Sequence, residues 1–289
     1  MASFYRRLQE KKIVVAPGVA DSLSARLCAD VGFDALYLSG AGVSYTLLGK
    51  PDVGLVNQME MAQRLSSISS AVDIPIIVDG DNGHGNALNV IRTVEAFERA
   101  GAVAIQLEDQ VFPKRCGHLA GKRLVSTQEM VGKIRAACSA RRSTEFLVVG
   151  RTDARSVEGM DAALHRAELY LEAGADILFV EAPQNRAELA RVAEEFPDVP
   201  LMANMVEGGK TPLVPAAELE ELGYSIVIYP NSLIRSYMYA GRKMLLQLKE
   251  SGTTEDCLED MLLFDGLNSL LQGSAIAELE DRFVYKGER

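Results

Sequence analysis

The run Lys114-Arg115-Cys116-Gly117-His118, shortly after the acidic pair Glu108-Asp109, carries the clearest chemistry in the chain. A cysteine with two cations before it and a histidine after it sits in a field that favours thiolate. Gly117 lets the segment bend. An apolar run precedes it, so we expect a loop over the end of a strand. A protonatable sulfur in a loop beside acids points to an enzyme that closes over its substrate. Cys116, His118 and Lys114 are the candidate catalytic groups there.

Short apolar, β-branched runs recur along the chain and position such a loop. They read as strands over Ile13–Ala16, Ala35–Ser39, Pro75–Asp79, Ala104–Glu108, Phe146–Arg151, Ile177–Glu181, Pro200–Asn204 and Ser225–Tyr229. Being almost continuously apolar, they are expected to be buried on both faces. Helical patterns lie between them, at Ser22–Val31, Gln58–Ala71, Ala87–Ala100, Thr127–Ala140, Gly159–Ala173, Arg186–Phe196 and Ala216–Leu222. Several close on Ala-Gly or Leu-Gly (Gly101, Gly174, Gly223), the usual left-handed stop. Eightfold strand–helix alternation predicts a parallel (β/α)8 barrel. No Gly-rich dinucleotide fingerprint follows any strand.

In such a barrel the chemistry sits at the C-terminal strand ends. Those ends read Tyr37-Leu38-Ser39-Gly40-Ala41-Gly42, Asp79-Gly80-Asp81-Asn82, Gln106-Leu107-Glu108-Asp109, Arg151-Thr152-Asp153, Glu181, Asn204 and Asn231-Ser232. So many polar groups at one mouth predict a binding site. Asp79 and Asp81, two apart, point the same way on an extended strand. Two such carboxylates repel unless a cation joins them, and Glu108 from the next strand can complete the set. Oxygen-only ligands suit Mg²⁺, or Mn²⁺. Arg151 offers a bidentate grip on a carboxylate or phosphonate. The amides of Ser39, Gly40, Ala41 and Gly42 offer a second anion nest, and Asn204, Asn231 and Ser232 add neutral donors. Two anion grips and a divalent cation describe a small dianionic substrate with an oxygen on the metal. That chemistry breaks or forms a carbon–carbon bond beside a carboxylate, and Cys116 can protonate the departing carbanion. No lysine ends a strand, which speaks against a Schiff-base aldolase.

Composition narrows the rest. The 289 residues are 48% hydrophobic with a net charge of −10, fit for one large core and unfit for nucleic-acid binding. We expect a single barrel domain over 1–289. No apolar run is long enough to span a membrane. The four cysteines show no CxxC or metal-ligand spacing, and the charged N-terminus lacks a signal-peptide core, so the expected location is the cytoplasm. After a helix at Ser232–Glu250, the stretch Thr254–Phe283 reads as further helix rich in Leu, Met and Phe. A closed barrel has little core left for it, so residues 251–289 are expected to pack on another subunit.

Taken together, these motifs resemble the isocitrate lyase/phosphoenolpyruvate mutase superfamily. The matching stretches are Tyr37–Gly40, Asp79–Asp81, Leu107–Gln110, Lys114–His118, Arg151–Arg155, Glu181-Ala182 and Asn204–Pro212. The resemblance implies a barrel with an exchanged C-terminal helix and a homotetramer built as a dimer of dimers. It implies Mg²⁺ on Asp79, with Asp81 and Glu108 acting largely through waters, and it adds Asp52 of Gly49-Lys50-Pro51-Asp52 as another acid near the metal. Arg151 and Glu181 would orient the substrate and its leaving fragment. The cysteine loop is similar to that of the isocitrate, 2-methylisocitrate and 2,3-dimethylmalate lyases, and 204–212 is most similar to the malate-type lyases. Cys116–Leu119 with Gly121–Leu124 is also similar to carboxyphosphonoenolpyruvate mutase. Pro230-Asn231-Ser232 departs from the Pro-Leu-Ser frequent among the lyases and speaks against methylisocitrate. The leading expectation is a Mg²⁺-dependent lyase of a substituted malate; a phosphonomutase or an oxaloacetate decarboxylase are the alternatives. A catalytically silent oligomer has no reason to keep a costly cluster of like charges.

Overall fold

The computed structural model describes residues 4–10, 12–115, 117 and 121–284. Eight parallel strands alternate with helices. In chain order they are α1 (Phe4–Gln9), β1 (Val14–Val19), α2 (Ser22–Val31), β2 (Leu36–Leu38), α3 (Gly40–Val43), α4 (Gln58–Ser69), β3 (Ile76–Asp79) and α5 (Ala87–Arg99). Then come β4 (Ala104–Glu108), α6 (Thr127–Ala140), β5 (Leu147–Thr152), α7 (Met160–Glu172), β6 (Ile177–Val180), α8 (Arg186–Glu195), β7 (Met202–Asn204), α9 (Ala216–Leu222) and β8 (Ile226–Tyr229). The tail is α10 (Ser232–Ser251), α11 (Phe264–Leu270) and α12 (Gly273–Phe283). The strands pair in the order β6-β5-β4-β3-β2-β1-β8-β7. A parallel bridge between Leu178 and Leu201 joins β6 to β7, and the Leu178 amide donates to the Pro200 carbonyl at 3.0 Å. The molecule is a (β/α)8 barrel.

Strand alternation sorts the side chains into two cores. Val14, Tyr37, Ile77, Val149, Phe179 and Ile228 fill the barrel, and Phe4 and Leu8 of α1 join this cluster. Leu36, Val78, Ile105, Leu107, Val148 and Leu178 face the helices, where Leu65, Phe97 and Ile134 cover them. Both faces are dry, as the unbroken apolar runs predict. The alternation also decides where the chemistry goes: Ile76 and Val78 point outward, so Asp79 points into the barrel mouth. Helix starts follow capping chemistry, with Asp21, Asn57 and Asn86 each closing a capping box. Gly101, Gly174 and Gly223 end their helices in left-handed conformations as expected.

Two segments depart from plain strand–helix alternation. The stretch Thr254–Phe283, expected as further helix, is a 3-10 turn at Glu255–Asp260 followed by two separate helices, broken where Gln272 turns left-handed (φ 58°). Beyond β2, the chain goes directly into α3 and a π-helical turn, Ser44–Leu48. The apolar content of the tail is exposed on this chain: Phe264 is 83% exposed and Tyr239 80%.

Gly18 on β1 ties the barrel wall to the start of α10. A Cβ there would stand 1.9 Å from the Pro230 carbonyl oxygen, and both partners are backbone. The expected outcome for Gly18→Ala is a loss of about 3 kcal/mol or more, read as a fall in Tm of about 10 °C by calorimetry. An unchanged Tm would mean that α10 does not need this close approach.

Candidate active site

The acids at the mouth are placed by backbone and amide donors. Asp79, the last residue of β3, accepts from the Gly40 amide at 3.2 Å on Oδ2 and from the Asp81 amide at 3.2 Å on Oδ1. The Gln106 side chain donates to the same Oδ1 at 3.3 Å, and Tyr37 in turn donates to Gln106 at 3.1 Å. The expected anion nest is therefore corrected at three of its four amides: that of Ser39 donates to the Val19 carbonyl, that of Gly40 is spent on Asp79, and that of Gly42 donates to the Ser39 hydroxyl as the cap of α3. A Cβ on residue 40 would come within 2.9 Å of Asp79 Oδ2, so glycine is what lets this backbone reach the acid.

Asp81 does not continue the strand. It adopts a left-handed conformation (φ 48°) beyond β3, which corrects the expectation that Asp79 and Asp81 share an extended face. The two stay together instead through the Asp81 amide. Lys114 lies between Asp81 and Asp52, with Nζ 2.7 Å from Asp81 Oδ1 and 2.6 Å from Asp52 Oδ1. Burial raises both carboxyls above their ordinary range against the pull of Lys114. Burial also opposes the Lys114 charge, but Asp81, Asp52, Asp79 and Glu108 outweigh it and hold the ammonium well above its usual value.

Arg151 on β5 is surrounded in the same way. Its Nη2 lies 3.3 Å from Glu108 and 3.4 Å from Glu181, its Nε 3.0 Å from Asp153, and its guanidinium carbon sits 5.2 Å over the Phe179 ring. Burial pushes Glu108 well above the ordinary range, with Arg151 opposing. Burial would raise Asp153 too, but Arg151 and Lys122 overcome it and hold that carboxyl down at about 2. Asn204 donates to Glu181 at 3.1 Å. Asn231 precedes α10, and Ser39 reaches its side-chain oxygen at 3.5 Å. Ser232 donates to Glu207, which also pairs with Arg235.

A single cavity at the mouth is lined by Tyr37, Ser39, Ala41, Asp52, Asp79, Glu108, Lys114, Gly117, Arg151, Glu181, Asn204 and Asn231. Nearly all the expected residues are thus brought together. Asp81 touches the group through Lys114, and Ser232 stands apart on Glu207. Cys116 and His118 lie outside the described residues. Gly117 between them is packed on the site: a Cβ there would be 2.5 Å from Arg151 Nη2 and 2.8 Å from the Glu181 carboxyl carbon. Sequence reasoning missed Gln106, Lys122 and Asp153 as working parts. Asp153 was legible in principle, since it lies two residues past Arg151 at the same strand end.

Among the described residues no three acidic, His or Cys side chains form a ready metal cage. The donor set still fits a hard divalent ion that keeps most of its waters. The acids present oxygen only, and Glu108 Oε1 is buried without a hydrogen-bond partner. Among the described residues, six carboxylates (Asp52, Asp79, Asp81, Glu108, Asp153, Glu181) face three buried cations (Lys114, Lys122, Arg151), with Arg115 at the cavity edge. A dianion would not enter that field without a further positive charge.

The phosphoenolpyruvate phosphomutase family model matches residues 4–249. The chain is 47% identical over 277 residues to 2,3-dimethylmalate lyase of Eubacterium barkeri, covering 96% of each. The chain belongs to the phosphoenolpyruvate mutase/isocitrate lyase superfamily. It is also 49% identical over 257 residues to 2-methylisocitrate lyase of Aeropyrum pernix, covering 89% of this chain and 82% of that one. A crystal structure of 2,3-dimethylmalate lyase superposes with a TM-score of 0.93 at 35% identity, covering 99% and 97% of the two chains. A phosphonopyruvate hydrolase solved with oxalate and Mg²⁺ superposes at 0.89 with 29% identity, covering 98% of each.

His84, three residues past Asp81, gives the site a stability signature. Its Nε2 is buried without a partner, and burial lowers its pKa from 6.5 to about 4. The unfolded chain therefore binds the proton first as pH falls from 6.5 to 4, so stability is lost through that window. The expected loss between pH 7 and pH 5 is about 1–2 kcal/mol from this group. Urea unfolding of wild type and His84→Gln at both pH values checks it; an equal pH dependence in the two proteins would exclude His84 as the source.

Proposed function

We propose that this superfamily member, a carbon–carbon bond lyase, cleaves a small 2-hydroxy dicarboxylate of the substituted-malate class, such as 2,3-dimethylmalate, to a 2-oxo acid and a carboxylate. The observation that carries the reading is the acid excess at the mouth, with Glu108 Oε1 unpartnered and Arg151 held beside it. Such a site suits a dianion that arrives with a divalent metal. Asp79, Asp81 and Glu108 would hold Mg²⁺, with Asp52 close by through Lys114. The metal supplies Lewis-acid stabilisation of oxygen charge when bound. Arg151 pairs with a substrate carboxylate, and Glu181, fixed by Asn204, borders the leaving fragment. Tyr37, Ser39, Ala41 and Asn231 line the substrate pocket. In the reaction the C2–C3 bond breaks, the hydroxyl passes its proton to a carboxylate of the mouth as C2 becomes a carbonyl, and the bond pair passes to C3 beside the second carboxylate. Cys116 gives that carbanion a proton, with His118 and Lys114 flanking the thiol in sequence.

A panel of 2-hydroxy acids with Mg²⁺ and NMR identification of products tests this. Expected are a 2-oxo acid from a substituted malate, abolition by EDTA, and recovery with Mg²⁺ or Mn²⁺. Cys116→Ser should lower turnover by about 10²–10⁴-fold while oxalate, a mimic of the enolate, still binds in the presence of Mg²⁺. Full activity in that variant would remove Cys116 from the mechanism. A phosphonate product without 2-oxo acid release would replace the lyase by a mutase, and oxaloacetate decarboxylation alone by a decarboxylase.

We also propose a homotetramer, a dimer of dimers in which the tail over 251–289 packs on a neighbouring subunit. The exposure of Leu262, Leu263, Phe264 and Ile276 supports it. Light scattering should give four times the subunit mass, and Phe264→Glu should lower that mass; a monomeric wild type would refute the assembly. Among the described residues no helix is long and apolar enough to cross a membrane. Cys28, Cys138 and Cys257 are free thiols, which fits the proposed cytoplasmic location.

A further inference from the structure

A buried ion pair stands behind the cavity lining and has no part in the chemistry proposed above. The segment after Gly121 runs antiparallel to the end of β4. The Val111 amide donates to the Arg123 carbonyl at 2.8 Å and the Val125 amide to the Asp109 carbonyl at 2.9 Å. This pairing fixes Lys122, whose side chain is 1% exposed, with Nζ 2.6 Å from Asp153 Oδ1. The same Nζ donates to the Gly117 carbonyl. Asp153, fully buried, receives Arg151 Nε on Oδ2 at 3.0 Å and Nη2 on Oδ1 at 3.2 Å. Its own amide donates to Asp109 Oδ1 at 2.9 Å. The Gly117 backbone packs against Arg151 Nη2. The contacts form a closed circuit: Lys122 to Gly117, Gly117 to Arg151, Arg151 to Asp153, and Asp153 back to Lys122.

We propose that Lys122 is a positioning residue that sets the plane and reach of the Arg151 guanidinium through Asp153 and the Gly117 carbonyl. Three carboxylates compete for Arg151, and Asp153 is the one that meets it with two oxygens. With Lys122 sharing Oδ1, Asp153 holds the guanidinium plane without claiming its whole charge, and Nη2 stays within 3.3 Å of Glu108 and 3.4 Å of Glu181. Without Lys122, Asp153 has one cation for a full buried charge and draws Arg151 back along β5. The Gly117 carbonyl loses its donor at the same time, so the backbone packed on Nη2 is no longer pinned. A bidentate anchor of this kind fixes geometry as well as charge, and small misplacement of a group that grips an anion costs rate steeply. The inference rests on the reading that Arg151 grips the substrate carboxylate.

Lys122→Met, Asp153→Asn and the double variant test it, each first checked for native circular dichroism and tetramer mass. Two readouts are taken: steady-state turnover of the substituted malate, and calorimetric affinity for oxalate in Mg²⁺. Lys122→Met is expected to lower kcat about tenfold or more and to weaken oxalate severalfold. The double variant should be no worse than Asp153→Asn alone, because both act through one group. Wild-type rates in a folded Lys122→Met enzyme, or losses that multiply in the double variant, would overturn the proposal. If Lys122→Met fails to fold, Lys122→Gln, which keeps a donor for Gly117 but no charge for Asp153, gives the same comparison. A wild type that cleaves no malate yet binds oxalate would sink the lyase reading while the oxalate arm still decides Lys122. A wild type that binds no oxalate overturns both.

Discussion

The structure depends on keeping an excess of carboxylate charge dry at one end of a barrel. Taking an ion out of water costs several kcal/mol even after relaxation, and here Asp52, Asp79, Asp81, Glu108, Asp153 and Glu181 share one mouth with Lys114, Lys122 and Arg151. The cations are not spread evenly. Lys114 serves Asp52 and Asp81, Lys122 serves Asp153, and Arg151 divides itself among Glu108, Asp153 and Glu181. Asp79, at the centre, has no cation within ion-pair distance among the described residues and is held by three N–H donors.

The barrel makes that cluster tolerable because its strand ends bring backbone donors from separate segments to one place. Below the mouth, Asp109 accepts from Thr152, Tyr170 and the Asp153 amide, and Arg166 lies 3.4 Å away. This network fixes the turn out of β5, so Asp153 and Arg151 are aimed before any ligand arrives. Preorganisation of this kind is where binding and catalytic precision come from. Its maintenance also depends on packing at the cavity edge, where the Gly18–Pro230 approach sets the start of α10 and with it Asn231.

Much of this was legible in the chain. The eight strands announced themselves because both faces are buried, and α2, α6 and α9 fall where periodicity and capping residues place them. The inward direction of Asp79, Glu108 and Arg151 follows from alternation alone. Asp81 was harder: its left-handed backbone breaks the alternation, and nothing in Asp-Gly-Asp distinguishes an extended pair from a turn. The Lys122–Asp153 pair was illegible for another reason. It joins residues 31 apart, and only the antiparallel return of the segment after Gly121 decides which of several neighbouring basic side chains turns inward. Gly40 was misassigned because a glycine-rich strand end looks alike whether its amides serve a bound anion or a protein carboxylate.

The imbalance of charge also bears on what the site can accept. At an effective dielectric near 20, each unit charge about 5 Å away contributes about 3 kcal/mol. A monoanion entering without a metal would meet a repulsion that Arg151, already shared by three carboxylates, does little to offset, and a neutral acid would leave the carboxylate excess uncompensated. A dianion accompanied by a divalent ion adds no net charge, and it can fill the valence left at Glu108 Oε1. On this argument discrimination comes less from added contacts to the substrate than from the carboxylates themselves, which make a mismatched charge costly. The neutral groups around them, Asn204, Asn231 and Ser39, are then left to sort acids of equal charge by shape.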